Sequence, residues 1–117
     1  MQKIFVFGSN EAGRHGAGSA QAARLYHGAV YGQGVGIQGN SYAIPTKSAS
    51  FEILPLVTIK QYVDDFLAFA TEHPEMLFTV VDIGCGLAGY KPEQIAPMFK
   101  DRPVNVIVSE TFRDIIG

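Results

Sequence analysis

The sequence predicts a single α/β domain over residues 1–117, with three α/β/α layers around a mostly parallel or mixed central sheet. Three observations carry that prediction. Strand-like and helix-like segments alternate along the chain, the pattern that covers a sheet with helices on both faces. Apolar runs such as KIFVF (3–7) and VNVIV (104–108) are near-continuous, as expected for strands buried on both sides. The length of 117 residues, with no internal repeat or linker, suits about one domain and one modest core.

Residues 3–7 are β-branched and aromatic and stop at Gly8, giving a buried first strand. The stretch FGSNEAGRHGAGSA (7–20) follows, with four glycines, an Asn, a Glu, an Arg and a His in fourteen positions. From Gly18, GSAQAARLYH is rich in Ala, Leu and Arg and ends at Gly28, so a short helix is expected with its start facing that loop. Glycines 28, 32, 34, 36 and 39 then interrupt apolar residues, which reads as irregular or hairpin structure before a strand near 41–45 that stops at Pro45. Residues 58–73 predict an amphipathic helix. Thr58 and Gln61 make a capping box, Val57 and Tyr62 a staple, and Ile59, Tyr62, Val63, Phe66, Leu67 and Ala70 one apolar stripe ended by His73 and Pro74. LFTVVDI (77–83) is a strand, Pro92 opens a short helix over 92–100, and 104–109 is a last strand.

Composition excludes several function classes. A hydrophobic content of 47% with 17% charged residues and a formal charge of -2 leaves no electrostatic footprint for duplex nucleic acid. The single cysteine, Cys85, rules out an internal disulfide framework and a cysteine-rich zinc site, so a cytoplasmic protein without a metal centre or cofactor is expected. The apolar run in MQKIFVFG is short for a signal peptide, and no stretch approaches the roughly 18 apolar residues of a membrane span. The expectation is a soluble, unprocessed chain with no membrane partner.

With right-handed crossovers between parallel strands, loops 8–18, 45–48 and 84–90 all leave carboxyl ends of strands and share one sheet edge, where ligands of open α/β sheets bind. The last of them, DIGCGLAGYKPEQI, spaces Gly84, Gly86 and Gly89 as GxGxxG between a strand and a helix. A dinucleotide-binding unit needs those glycines after the first strand, with a long βαβ behind them and an acidic residue about 20 positions on, a context this chain lacks. No GxxxxGK[ST] occurs either. What remains is shared physics: glycines let backbone N–H groups approach a phosphate, and the following helix start favours the anion. Two such loops on one edge suggest a diphosphate.

GSNEAGRHGAG near the N-terminus, YGQGVGIQGNSYAIPTK in the middle and IGCGLAGYKPEQIAPMF near the end together resemble a compact branch of the macrodomain superfamily, over most of the chain. The resemblance implies a site for ADP-ribose or a related nucleotide, with the chemistry open: members variously remove ADP-ribose from proteins, dephosphorylate its terminal ribose or only bind it. It implies that Asn10 contacts the distal ribose, that Gly16, Ala17 and Gly18 form the first diphosphate loop, and that Gly84, Cys85, Gly86, Leu87, Ala88, Gly89 and Tyr90 form the second. Gly8, Ser9, Arg14, Thr46 and Lys47 complete the expected ligand-binding set. An ADP-ribosylated macromolecule is the implied partner.

Individual side chains carry two readings each. Asn10 is a ligand contact or a turn residue. His15 sits in a polar loop between Arg14 and Gly16, which argues against a core position and leaves a catalytic or a solvated histidine. Arg14 and Lys47 clamp phosphate or face water. His27 and His73 lie near predicted helix C-termini and read as structural. Cys85 is a nucleophile among N–H groups or a small residue under the loop, and after five intervening residues stands Lys91, where a cysteine phosphatase pattern needs Arg. Asp82 shares a face with Val80 in TVVDI, so it reads as a carboxylate on a covered face that binds a ribose hydroxyl, activates water or is simply structural. Asn10, His15 and Asp82 are the catalytic candidates. Hydrolysis of an ADP-ribosyl bond leads, the alternatives being a non-catalytic nucleotide-binding module and a cysteine-dependent hydrolase using Cys85.

Overall fold

A computed structural model describes all residues from Met1 to Gly117. Its strands are β1 (Gln2–Asn10), β2 (Gly36–Gln38), β3 (Ser41–Lys47), β4 (Met76–Val80) and β5 (Val106–Val108). Its helices are α1 (Gly18–Tyr26), α2 (Leu56–Glu72), α3 (Pro92–Ile95) and α4 (Glu110–Ile116), with a 3-10 turn at Ala96–Phe99. The five strands form one mixed sheet in the order β2-β3-β1-β4-β5, in which β1 is parallel to β3 and β4, β5 is parallel to β4, and only β2 is antiparallel.

Side-chain alternation along β1 builds both apolar layers. Ile4 and Val6 point into a core of 18 buried residues that includes Ile59, Val63, Phe66 and Ala70 of α2, Phe99 and Phe112. Phe7 points the other way, into a small cluster with Ala20 and Ala23 of α1, Ala29 and Ala43, against which Phe5 packs. The sheet is therefore covered on both faces, as its continuous apolar strands require. The α1 layer is thin and made largely of alanines. No helix is long and apolar enough to cross a membrane.

Several boundaries differ from the sequence reading, each for a physical reason. β1 runs through Gly8 to Asn10, because β3 continues to pair with it as far as Lys47. Pro45 does not stop β3: β2 pairs only with Ser41–Ala43, so one flank of β3 is open at Pro45, and the register shifts beside it between Ser9 and Asn10. α2 begins at Leu56 with Pro55 as its N-cap, so Thr58 lies inside the first turn and donates its N–H to the Pro55 carbonyl instead of capping. The predicted helix over 92–100 divides into α3 and the 3-10 turn, since Pro97 has no N–H for an α-helical bond. The segment 110–117, given no element above, is α4, capped by the Ser109 hydroxyl accepting from the Phe112 N–H and held by the buried Phe112 ring.

The site's location follows from β1. Its neighbour β4 pairs with it only as far as Val6 and Val80, whereas β3 follows it to Asn10. Beyond Val6 strand pairing on the β4 side of β1 ends with the Val81 N–H bond to the Val6 carbonyl at 3.3 Å, and the chain after β4 leaves the sheet as a loop beside Gly8. This is the switch point at the carboxyl edge where α/β sheets leave a crevice.

Candidate functional site

A single cleft of about 810 Å³ occupies that crevice. One wall is the segment after β1, from Gly8 and Asn10 through Gly16 to the start of α1, and the other is Val81 to Ala88 after β4. A Cβ placed on Gly8 would stand 3.7 Å from the Gly84 nitrogen and from the Thr46 methyl, so the three strand ends meet at the cleft floor. Gly16 and Gly86 face open space at the two walls.

Both walls present backbone donors. α1 has no side-chain cap, and the N–H groups of Ala17, Gly18, Ser19 and Ala20 donate to no protein acceptor; the first helical bond is Gln21 N–H to the Ala17 carbonyl at 3.2 Å. In the other wall the N–H groups of Gly84, Gly86, Leu87 and Ala88 are likewise uncommitted, while Cys85 and Gly89 donate to Asp82 and Gly86 carbonyls within the loop. Ala20, Gly84 and Ala88 are buried while Ala17, Gly18, Gly86 and Leu87 face solvent, so the two runs on one cleft offer N–H donors to an acceptor from outside the chain. Among the side chains that line the cleft, Arg14 and Lys47 are cationic and Asp82 is the one carboxylate.

Gly8, Ser9, Asn10, Arg14, Gly16, Ala17, Gly18, Thr46, Lys47, Asp82, Gly84, Cys85, Gly86, Leu87 and Ala88 all border the cleft. Gly89 and Tyr90 do not border the cleft; the Tyr90 hydroxyl donates to the Leu54 carbonyl at 2.6 Å and ties the loop to the segment before α2. Ser9 and Thr46 are buried, with hydroxyls turned inward to the Gly34 and Ser9 carbonyls at 2.5 and 3.3 Å. Asn10 is buried as well. Its amide nitrogen donates to the Arg14 carbonyl at 3.0 Å and its oxygen accepts from the Arg14 N–H at 2.9 Å, so the side chain shapes the turn into the glycine loop.

Two catalytic candidates are corrected in their surroundings. His15 is fully buried, a core position rather than a polar-loop one, with its ring edge-on to Phe7 at 5.2 Å. Neither ring nitrogen has a hydrogen-bond partner. Burial, with the nearby Arg24 charge adding to it, holds its pKa below 6.5, although the Gln33 backbone favours the charged form. Asp82 lies past the end of β4 and is exposed, not on a covered strand face. Cys85 fares no better as a nucleophile, since burial, then Asp82 and Glu93, push its thiol up to about 11, away from thiolate.

The His15 shift has a readable consequence. An imidazole harder to protonate when folded than at 6.5 when unfolded makes the unfolded state bind the extra proton, so stability falls as pH drops below about 6.5. Denaturant melts at pH 7.5 and pH 5.5 are expected to show that loss in the parent and a smaller one in His15→Phe; equal losses would assign the acid sensitivity elsewhere.

Tyr31 and Phe51, both exposed, also border the cleft, as do Ser19, Ala20, Val81 and Ile83. Sequence reasoning passed over the two aromatics. Their only signal was a lone ring in each of two small-residue stretches, GAVYGQG and KSASFE.

The folding pattern can be set beside solved structures. A macrodomain protein from Streptomyces coelicolor is similar over 91% of this chain and 86% of its own, at 17% identity and a TM-score of 0.59. The chain has a macrodomain-like fold. Two structures from Bacteroides thetaiotaomicron share it at 20% identity: one, of a protein of unknown function, covers 91% of this chain and 85% of its own with a TM-score of 0.58, and the other covers 92% and 88% with 0.57. No family model matches the sequence, and no curated protein does. Within this macrodomain-like fold, most of the cleft lining comes from the three segments whose motifs carried the resemblance in sequence, joined by Ser19, Ala20, Phe51, Val81 and Asp82.

Proposed function

We propose that the cleft binds ADP-ribose or a related nucleotide through its diphosphate. One observation carries the reading: two runs of uncommitted N–H groups, Ala17–Ala20 and Gly84 with Gly86–Ala88, border the same cleft of about 810 Å³. A diphosphate offers acceptors to both runs at once, and the start of α1 adds its dipole. The cleft volume is within the range that takes ligands of nucleotide size. An ADP-ribosylated macromolecule would reach the site as the bearer of that group.

Binding without chemistry is the reading the side chains favour. The titratable groups on the cleft are Arg14, Tyr31, Lys47, Asp82 and Cys85, among which no side-chain hydrogen bond or salt bridge forms an acid–base pair, and His15 is sealed in the core. Hydrolysis of an ADP-ribosyl bond is the second reading, supported by Asp82 alone: an exposed carboxylate on a cleft wall can hold a water beside a bound ribose.

Calorimetric titration with ADP-ribose, ADP, AMP and ribose 5-phosphate, followed by product analysis, tests both. ADP-ribose and ADP are expected to bind at least tenfold more tightly than AMP, because the second phosphate adds charge-assisted bonds of about 1.5–3 kcal/mol. Equal affinity for AMP and ADP would remove the diphosphate reading. Release of ADP-ribose from an ADP-ribosylated protein, lost in Asp82→Asn, would make the module an enzyme.

A further inference from the structure

Phe51 is the one non-glycine residue with a left-handed backbone, at φ 66°. An aromatic side chain adopts that conformation only against steric cost, and such outliers persist where the surroundings hold them. Here the turn is built for it. The Phe51 N–H donates to the Ser48 carbonyl at 3.0 Å, the Ser48 N–H to the Glu52 carbonyl at 2.8 Å, and the Ser48 hydroxyl accepts from the Glu52 N–H at 3.1 Å. Lys47 and Ile53 bridge across its base. The result holds the half-exposed Phe51 ring at the cleft, with the Arg14 guanidinium 5.6 Å from its centroid.

Arg14 is fixed from its own side. The paired bonds to the Asn10 amide set its backbone, and Asn10 ends the strand that pairs with β3, from which the Phe51 turn springs. Two pinned loops on neighbouring strands thus bring one cation and one ring together at the mouth of the cleft. Arg14 makes no salt bridge to any carboxylate of the chain, so its charge remains available to an anion. A long side chain held by a ring loses less rotamer freedom on meeting that anion than one free in water.

We propose that Arg14 reads the phosphate charge of the ligand at the cleft mouth and that Phe51 is its positioning residue, acting through the cation–π contact and not by touching the ligand. The proposal deepens the nucleotide reading and rests on it. Its signature is coupling. If Phe51 works only through Arg14, removing the ring matters while Arg14 is present and not afterwards.

The experiment is a double-mutant cycle on the full chain, reading affinity by calorimetry for ADP-ribose and, as a base-free and ribose-free probe, inorganic pyrophosphate. Arg14→Met is expected to weaken both ligands about tenfold, the scale of one charge-assisted bond. Phe51→Leu should weaken them about threefold, the scale of an exposed cation–π contact. Phe51→Tyr should restore the parent value, and Arg14→Met with Phe51→Leu should match Arg14→Met alone. Melting curves for each variant separate these losses from unfolding. Losses that add in the double variant would overturn the positioning role, and an unchanged Arg14→Met would overturn the proposal entirely. Binding of neither ligand by the parent would overturn the nucleotide reading and this inference with it, whereas additive losses leave that reading standing.

Discussion

Gly86→Val is expected to weaken ADP-ribose binding at least a hundredfold while the protein melts as the parent does. A Cβ on Gly86 meets nothing within 4 Å, and the residue is outside the left-handed region, so the folded chain accommodates a side chain there. The space it would fill is the cleft itself. Gly86 and its neighbours Leu87 and Ala88 hold three of the uncommitted N–H groups, and a valine at this point keeps an anion from all of them. Losing two charge-assisted bonds of about 1.5–3 kcal/mol each, about 3 kcal/mol or more together, corresponds to a hundredfold or more. Stability is expected to stay within about 0.5 kcal/mol, as for surface changes away from packed features. A folded variant that binds ADP-ribose within threefold of the parent would take the second loop out of the site.

That result would test a part of the molecule that was legible in the sequence. Glycine runs placed directly after strands announce backbone approach, and the alternation of elements puts them on one sheet edge whatever the details of packing. What the sequence could not show is which loop side chains turn inward. His15 lies between Arg14 and Gly16, a polar setting, yet it is fully buried, because the all-alanine face of α1 leaves room beneath the loop beside Phe7. Asp82 was misplaced for a related reason. Period-two alternation carries on past Val80 in TVVDI, but a strand lasts only while a neighbour pairs with it, and β1 stops pairing with β4 at Val6. α4 had a local signal in Ser109 ahead of Phe112 and Ile116, four apart on one helical face. Phe51 had none. Its place at the cleft depends on a left-handed turn that no aromatic residue announces.

The same dependence on tertiary contact governs the largest expected loss of stability, in Gly34→Ala. Gly34 is buried in the irregular segment before β2, in a stretch where glycine density alone suggests a loose loop. A Cβ there would stand 2.6 Å from the Glu11 carbonyl oxygen and closer still to that of Asn10. Both are backbone atoms at the end of β1, and neither can turn aside as a flexible side chain would. The Gly34 carbonyl also accepts the buried Ser9 hydroxyl at 2.5 Å, so moving this segment away would break a bond inside the cleft floor. Moving Asn10 instead would disturb the turn that sets Arg14. Overpacking against fixed atoms costs typically 1–3 kcal/mol, and a buried hydroxyl left unsatisfied adds to it. Gly34→Ala is therefore expected to lower unfolding stability by about 3 kcal/mol, a large part of the 5–15 kcal/mol a domain possesses. Denaturant unfolding measures it, with Gly16→Ala as the control. Gly16 has open space around its Cβ position and no left-handed backbone, so that variant should match the parent or gain a few tenths of a kcal/mol from a stiffer unfolded chain. Equal stability of the two variants would mean that the contact between the Gly34 segment and the end of β1 yields without cost, and the rigid cleft floor inferred from it would have to be given up.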